Sequence, residues 1–154
     1  MTISKSATLE DLYPIIEQKM KEDSSFSFRA CGVSMLPYIR DGKDLVTLGK
    51  IKEPLKKNDV VFYRRSSGQF VLHRIVKIRD DQKFDLCGDH QFRIERGVLP
   101  EQMIAKLVRL ERDGKQVFLT SRLTTLWCFL LPVRRFFLRI LFPVKSLLKP
   151  LFKK

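Results

Sequence analysis

Acid–base chemistry near neutral pH needs a side chain that exchanges a proton there, and the 154-residue chain offers two histidines, His73 and His90. His73 lies in Phe70-Val71-Leu72-His73-Arg74-Ile75-Val76, whose apolar neighbours mark a strand. A lone strand histidine is more often a satisfied structural residue than a base. Ser34, in Cys31-Gly32-Val33-Ser34-Met35-Leu36-Pro37, sits at a turn marked by Gly32 and Pro37. Such a turn can present the hydroxyl and aim backbone N–H groups at a substrate carbonyl, although a turn serine is usually only a cap. The three cysteines, Cys31, Cys87 and Cys128, are odd in number and irregular in spacing, so a reducing compartment without a disulfide framework is the simpler expectation. Cys31, beside Gly32 on the first expected strand, reads as a buried packing residue rather than a rival nucleophile. Cys87 and His90 form a Cys-x-x-His pair, but a structural zinc site wants four ligands, so neither metal nor cofactor is expected.

These residues need elements to hold them. Thr8 followed by Asp11, with Leu9, Leu12, Ile15, Ile16 and Met20 at three- and four-residue steps, predicts a short amphipathic helix over 8–22 whose first turn Pro14 disturbs. Beyond residue 25 the pattern changes to short apolar runs between turn formers, which predicts strands near 26–31, 44–48, 59–64, 69–79, 83–87 and 103–111. One hairpin turns at Ser66-Ser67-Gly68, and a second, reaching Leu119, turns at Asp113-Gly114. The expected fold is mainly β, a curled antiparallel sheet or partial barrel, with a short N-terminal helix and a C-terminal amphipathic helical tail. The boundaries fall at 1–25 for the helical segment, 26–121 for the β domain and 122–154 for the tail.

Ser34 and His73 gain meaning from three further motifs in order: Asp41-Gly42-Lys43-Asp44-Leu45-Val46, Lys57-Asn58-Asp59-Val60-Val61-Phe62 and Cys87-Gly88-Asp89-His90-Gln91. Over about residues 27–110 the chain resembles the clan of type I signal peptidases and SOS-repressor peptidases. That clan places a serine before Met-x-Pro, then two Gly-Asp strands, a base in the following hairpin, and Gly-Asp-Asn. Here Lys43 is inserted into the first Gly-Asp, Asn58-Asp59 replaces the second, and His90 stands in place of the last asparagine. Val71-Leu72-His73-Arg74-Ile75 is similar to the branch with a histidine base, found in endoplasmic-reticulum, archaeal and some Gram-positive enzymes.

The resemblance implies a serine endopeptidase with the signal-peptidase type of sheet, in which Ser34 is nucleophile and His73 general base. Two acids compete to orient His73. Asp89 belongs to the Gly-Asp motif, and Glu95 matches the position of the histidine branch's triad aspartate; Glu95 is slightly favoured, which leaves Asp89 to hold the loop. His90 takes a polar loop role. Lys77 would share the face of His73 and Ile75 in a regular strand and becomes a base only after rearrangement. The implied partner is a peptide or preprotein bound as an extended strand, its leader or signal segment being cut.

Subtracting 17 acidic from 30 basic residues gives +13. Arg122, Arg134, Arg135, Arg139, Lys145, Lys149, Lys153 and Lys154 supply +8 of this in a segment without Asp or Glu. Its apolar runs are broken too early to span a bilayer, but on a helical wheel six of the cations share one arc. That predicts peripheral attachment of residues 122–154 to an anionic membrane surface with snorkelling cations, Pro132, Pro143 and Pro150 dividing the tail into short helices. A helix covering the sheet is the rival. The amino terminus has neither a basic n-region nor an apolar stretch, so the cytoplasmic face is expected. A non-catalytic membrane-binding module of the same fold is one alternative and a basic nucleic-acid-binding protein another; no helix-turn-helix or RNA-stacking motif supports the latter, and no nucleic acid is expected.

Overall fold

Four consecutive residues, Val60 to Tyr63, are buried, which a strand manages only with a core on each face. The computed structural model supplies both cores. It describes residues 9–22, 24–117 and 122–148. In chain order these form α1 (Leu9–Lys21), β1 (Phe26–Arg29), β2 (Leu45–Gly49), β3 (Val60–Arg64), β4 (Phe70–Ile78), β5 (Phe84–Cys87), β6 (Glu95–Val98), a 3-10 turn at Pro100–Gln102, β7 (Met103–Arg112), β8 (Lys115–Val117) and α2 (Arg122–Leu148). Thr8, Phe118, Leu119 and residues 149–154 lie outside the described residues.

The strands make one antiparallel sheet of eight in the order β1-β2-β7-β3-β4-β5-β6, with β8 also paired to β7. The sheet is open, with β1 and β6 at its ends. Val60, Phe62, Phe70 and Leu72 join Val46, Leu48, Ala105 and Leu107 in one core, on which α1 lays Ile16 and Met20. Val61, Tyr63, Val71 and Ile75 join Phe84, Leu86 and Val98 in the other. Alternation along β3 and β4 thus feeds both faces in turn. The hairpin β3–β4 closes at Gly68, whose φ is +91°, and β7–β8 closes at Asp113-Gly114, both residues at positive φ as a tight two-residue turn requires.

The sequence pattern did not anticipate β6. Its Glu95-Arg96-Gly97-Val98 buries only Val98, too short a signal for periodicity to register. Pro14 lies inside a continuous α1, and Pro132 and Pro143 lie inside a single α2, so the expected division of the tail into short helices is not what forms. A proline withdraws one hydrogen bond and crowds the preceding turn, which weakens a helix locally without ending it. The wheel's single cationic arc also changes meaning: Leu131 is buried, Arg134 turns toward the β5–β6 loop, and Leu126, Phe129, Leu130, Val133, Phe136, Phe137 and Ile140 stay exposed. The helix rests on Arg74 and the turn after β5 with one side and presents an apolar stripe with the other. Among the described residues no helix is long and apolar enough to cross a membrane.

Candidate active site

Ser34 stands in the loop between β1 and β2, which is braced from several directions. Met35 and Ile39 are buried and pin the turn to the first core. Gly42 N–H donates to Ala30 O at 2.9 Å, and Gly32 N–H donates to Asp41 Oδ1 at 2.7 Å. From the other side His90 N–H donates to Ser34 O at 2.8 Å. Gly88 approaches that carbonyl so closely that a Cβ there would lie 2.5 Å from Ser34 O. The turn after β5 therefore clasps the serine's backbone, and only glycine fits at the contact.

His73 comes from the middle of β4 and is only 1% exposed. Its Nδ1 lies 3.3 Å from Glu95 Oε1 and 3.3 Å from the Tyr63 hydroxyl. Glu95 reaches this place because it faces Leu86 across the β5–β6 pair, on the side of the sheet that carries Tyr63 and Ile75. Arg65, just beyond β3, holds Glu95 by two hydrogen bonds, one of 2.8 Å from Nε to Oε2. Burial pushes the Glu95 carboxyl up, but hydrogen bonds from Arg65 and Tyr63 outweigh it and hold the group below the usual carboxylate range. Burial pushes the Tyr63 phenol up, so it stays protonated and is a donor. With Glu95 ionised, the arrangement that satisfies every group puts the His73 proton on Nδ1 and leaves Nε2 as acceptor. Burial also depresses His73 itself to about 4, against the opposing charge of Glu95.

Ser34 and His73 line the same cleft, of about 280 Å³, with Phe28, Ala30, Met35, Ile39, Phe70 and Leu72 as apolar walls and Arg65, Gln69 and Gln91 as polar ones. A larger open hollow of about 770 Å³, beside Lys19, Lys50, Lys52 and Lys106, contains none of these site residues. Ser34 and His73 thus share one cleft, and Glu95, which does not line it, is joined to it through His73 Nδ1.

Asp89 is placed elsewhere. It is fully buried and receives Arg74 Nε at 2.9 Å and Nη2 at 2.7 Å, with Trp127 Nε1 adding a bond of 3.0 Å. The other two motif aspartates are also ion-paired. Asp44 takes Arg40 and Arg112; burial pushes its carboxyl up, and those hydrogen bonds reverse the shift. Asp59 accepts from Lys56 N–H and pairs with Lys106 at 3.0 Å. The motif aspartates tie loops to strands through buried or half-buried charge, and each receives a cation from a strand distant in sequence: Asp44 from Arg112, Asp59 from Lys106 and Asp89 from Arg74.

Two expectations change. Cys31 is exposed and lines the cleft, because β1 stops at Arg29 and leaves it in the loop rather than on the inner face of a strand. Lys77 is exposed beyond an irregularity between Ile75 and Lys77 in the β4–β5 pairing, so the strand is not regular where sharing a face with His73 would require it. His90 Nδ1 lies 2.6 Å from Arg134 Nη2, and the Cys87 thiol donates to Gln91 O and Arg93 O, so the Cys-x-x-His pair is engaged in loop contacts. Among the described residues no group of three or more His, Cys, Asp or Glu is placed to hold a metal ion.

Tyr63 and Arg65 were missed in the sequence. The hairpin held a signal for Tyr63: a turn at 66–68 pairs Val61 with His73 and sets Tyr63 diagonally beside it on the same face. Nothing local identifies Arg65 before β6 is known. No protein-family model, no curated protein and no solved structure matches the chain.

Proposed function

We propose that the protein is a serine endopeptidase similar to the histidine-base signal peptidases, and that it removes a leader or signal segment from a peptide or protein precursor. The observation that carries this is one cleft holding Ser34 and His73, with Glu95 Oε1 3.3 Å from the Nδ1 of His73. In the proposed reaction Ser34 Oγ adds to the scissile carbonyl as His73 Nε2 takes its proton. His73 then gives the proton to the leaving amine, and water repeats the cycle on the acyl-enzyme. Glu95 keeps the imidazole in the Nδ1–H tautomer and stabilises the transient cation, and N–H groups of the Ser34 turn meet the oxyanion.

The edge strand β1 leads into the cleft through Phe28 and Ala30, which suits a substrate added as a further strand. Small side chains beside the cut are what the resemblance implies, and the apolar walls suit them. A leader segment of a peptide precursor is the preferred substrate. The exposed stripe on α2, in a segment rich in cations and free of acids, supports attachment to an anionic bilayer. The test is phosphonylation by an alkyl fluorophosphonate, in which Ser34 Oγ bonds phosphorus and fluoride leaves. Ser34→Ala is expected to abolish labelling and His73→Ala to slow it by at least about 10³-fold, both variants remaining folded. Undiminished labelling of Ser34→Ala would move the nucleophile elsewhere.

A further inference from the structure

The inner face of α2 carries polar groups that a merely covering helix does not need. Trp127, Leu131 and Arg134 recur at helical spacing and all face the body. Trp127 Nε1 donates to Asp89 Oδ2, and Arg134 donates through Nη1 to the main-chain oxygen of Asp89. The Arg134 guanidinium also lies 5.8 Å from the Trp127 ring centre and beside His90 Nδ1. The contacts to Asp89 and His90 all end on the turn whose His90 N–H holds Ser34 O at 2.8 Å. Arg74, already doubly bonded to Asp89, would anchor the carboxylate alone; Trp127 and Arg134 add a hold on the backbone of the turn.

Resting on the proposed peptidase activity, we infer that Trp127 and Arg134 are positioning residues for the nucleophile. They act through the 88–91 turn. A peptide group is planar, so the direction of the Ser34 carbonyl fixes that of the Met35 N–H in the same plane. Ser34 and Met35 both line the cleft, so a turn held firmly against Ser34 O sets both the hydroxyl's approach and the N–H expected at the oxyanion. Loosening α2 disorders that plane while the sheet, whose strands pair without α2, keeps its form.

Trp127→Phe keeps a ring and removes the donor, and Arg134→Gln removes the charge. With the full chain and an alkyl fluorophosphonate, each variant should lower the limiting rate of Ser34 phosphonylation about five- to tenfold. The half-saturating probe concentration should stay within about twofold. A merely structural role would instead lower the unfolding temperature and leave the limiting rate of the folded protein unchanged, and that result overturns the inference. Amide hydrogen exchange separates it from the peptidase proposal. Trp127→Phe should speed exchange at the His90 amide at least tenfold with the β3 and β7 amides unmoved, whether or not Ser34 is reactive. Faster exchange in a protein whose Ser34 never labels would sink the peptidase proposal and support the clamp; unchanged His90 exchange sinks the clamp.

Discussion

His73 is depressed to about 4 from an ordinary 6.5 because burial disfavours its cation more than Glu95 favours it. Its neutral form, the one able to act as base, is therefore present throughout the physiological range. The rate of Ser34 phosphonylation should be flat from about pH 6 to 8 and fall only near pH 4 to 5; an acid limb centred at 6.5 would contradict the buried base. The same shift bears on stability. Between pH 6.5 and 4 the unfolded chain takes up a proton that folded His73 refuses, so stability is complete above 6.5 and is lost as pH falls through that window. The loss is on the order of 3 kcal/mol. Denaturation at pH 7 and 5 should show it, and His73→Gln should flatten it. The two acids separate in kind. Glu95→Gln should slow labelling by about 10²- to 10⁴-fold with the fold retained, since it removes the charge that favours the His73 cation and the correct tautomer. Asp89→Asn should instead cost stability, by up to about 3–5 kcal/mol, because it strands a buried Arg74. Equal unfolding temperatures with Asp89→Asn slowed as far as Glu95→Gln would reverse the two roles.

Two loops that meet at Gly88 govern the site at the level of elements. Gly88→Ala would place a Cβ against the Ser34 carbonyl, a backbone atom that cannot rotate away, so the β1–β2 loop must shift. Labelling of Ser34 should drop by at least about tenfold, a small misplacement of reacting groups being costly, with circular dichroism of the sheet unchanged. Normal labelling in that variant would mean the contact does not position the serine. How much of this was legible follows from particular elements. Strands β2 to β5 and β7 announced themselves by apolar runs between turns, and the order Ser34, His73, Gly88-Asp89 gave the candidate residues. β6 was silent because one buried valine makes no period, and with it went the frame that brings Glu95 and Arg65 together. The end of β1 at Arg29 was invisible too, since Ala30 and Cys31 continue the small and apolar run past the last paired residue. In α2 the wheel sorted apolar from cationic positions, but it could not tell which arc faced protein, because Arg134 finds its partners, Asp89 and His90, 45 and 44 residues upstream on a turn that only folding brings near.

The described residues form one sheet with α1 packed into its first core and with α2, a helix of two different faces, resting on the turn after β5. Facing inward are Trp127, Cys128, Leu131 and Arg134; facing outward are Leu126, Phe129, Leu130, Val133, Phe136, Phe137 and Ile140. Seven large apolar side chains on one exposed stripe exceed what a solvated helix tolerates, and a segment free of acids has no repulsion from anionic headgroups. Phe136→Ser with Phe137→Ser should therefore weaken binding to anionic phosphatidylserine vesicles by at least about tenfold while leaving the inner contacts intact. High salt should weaken binding of the unaltered chain without abolishing it, since screening reaches the charges but not the inserted rings. Removal of residues 122–154 should do more. It should release the protein from vesicles and also lower the unfolding temperature by several degrees, because Asp89 loses Trp127 and Arg134 and the body loses the cover of Leu131. The eight-stranded sheet has its own two cores and should remain. Sedimentation with vesicles and a thermal melt on the same truncated sample decide between the helix's two roles. Retained vesicle binding would place the lipid contact outside α2, whereas a melt identical to that of the full chain would mean that the inner face adds nothing to the fold.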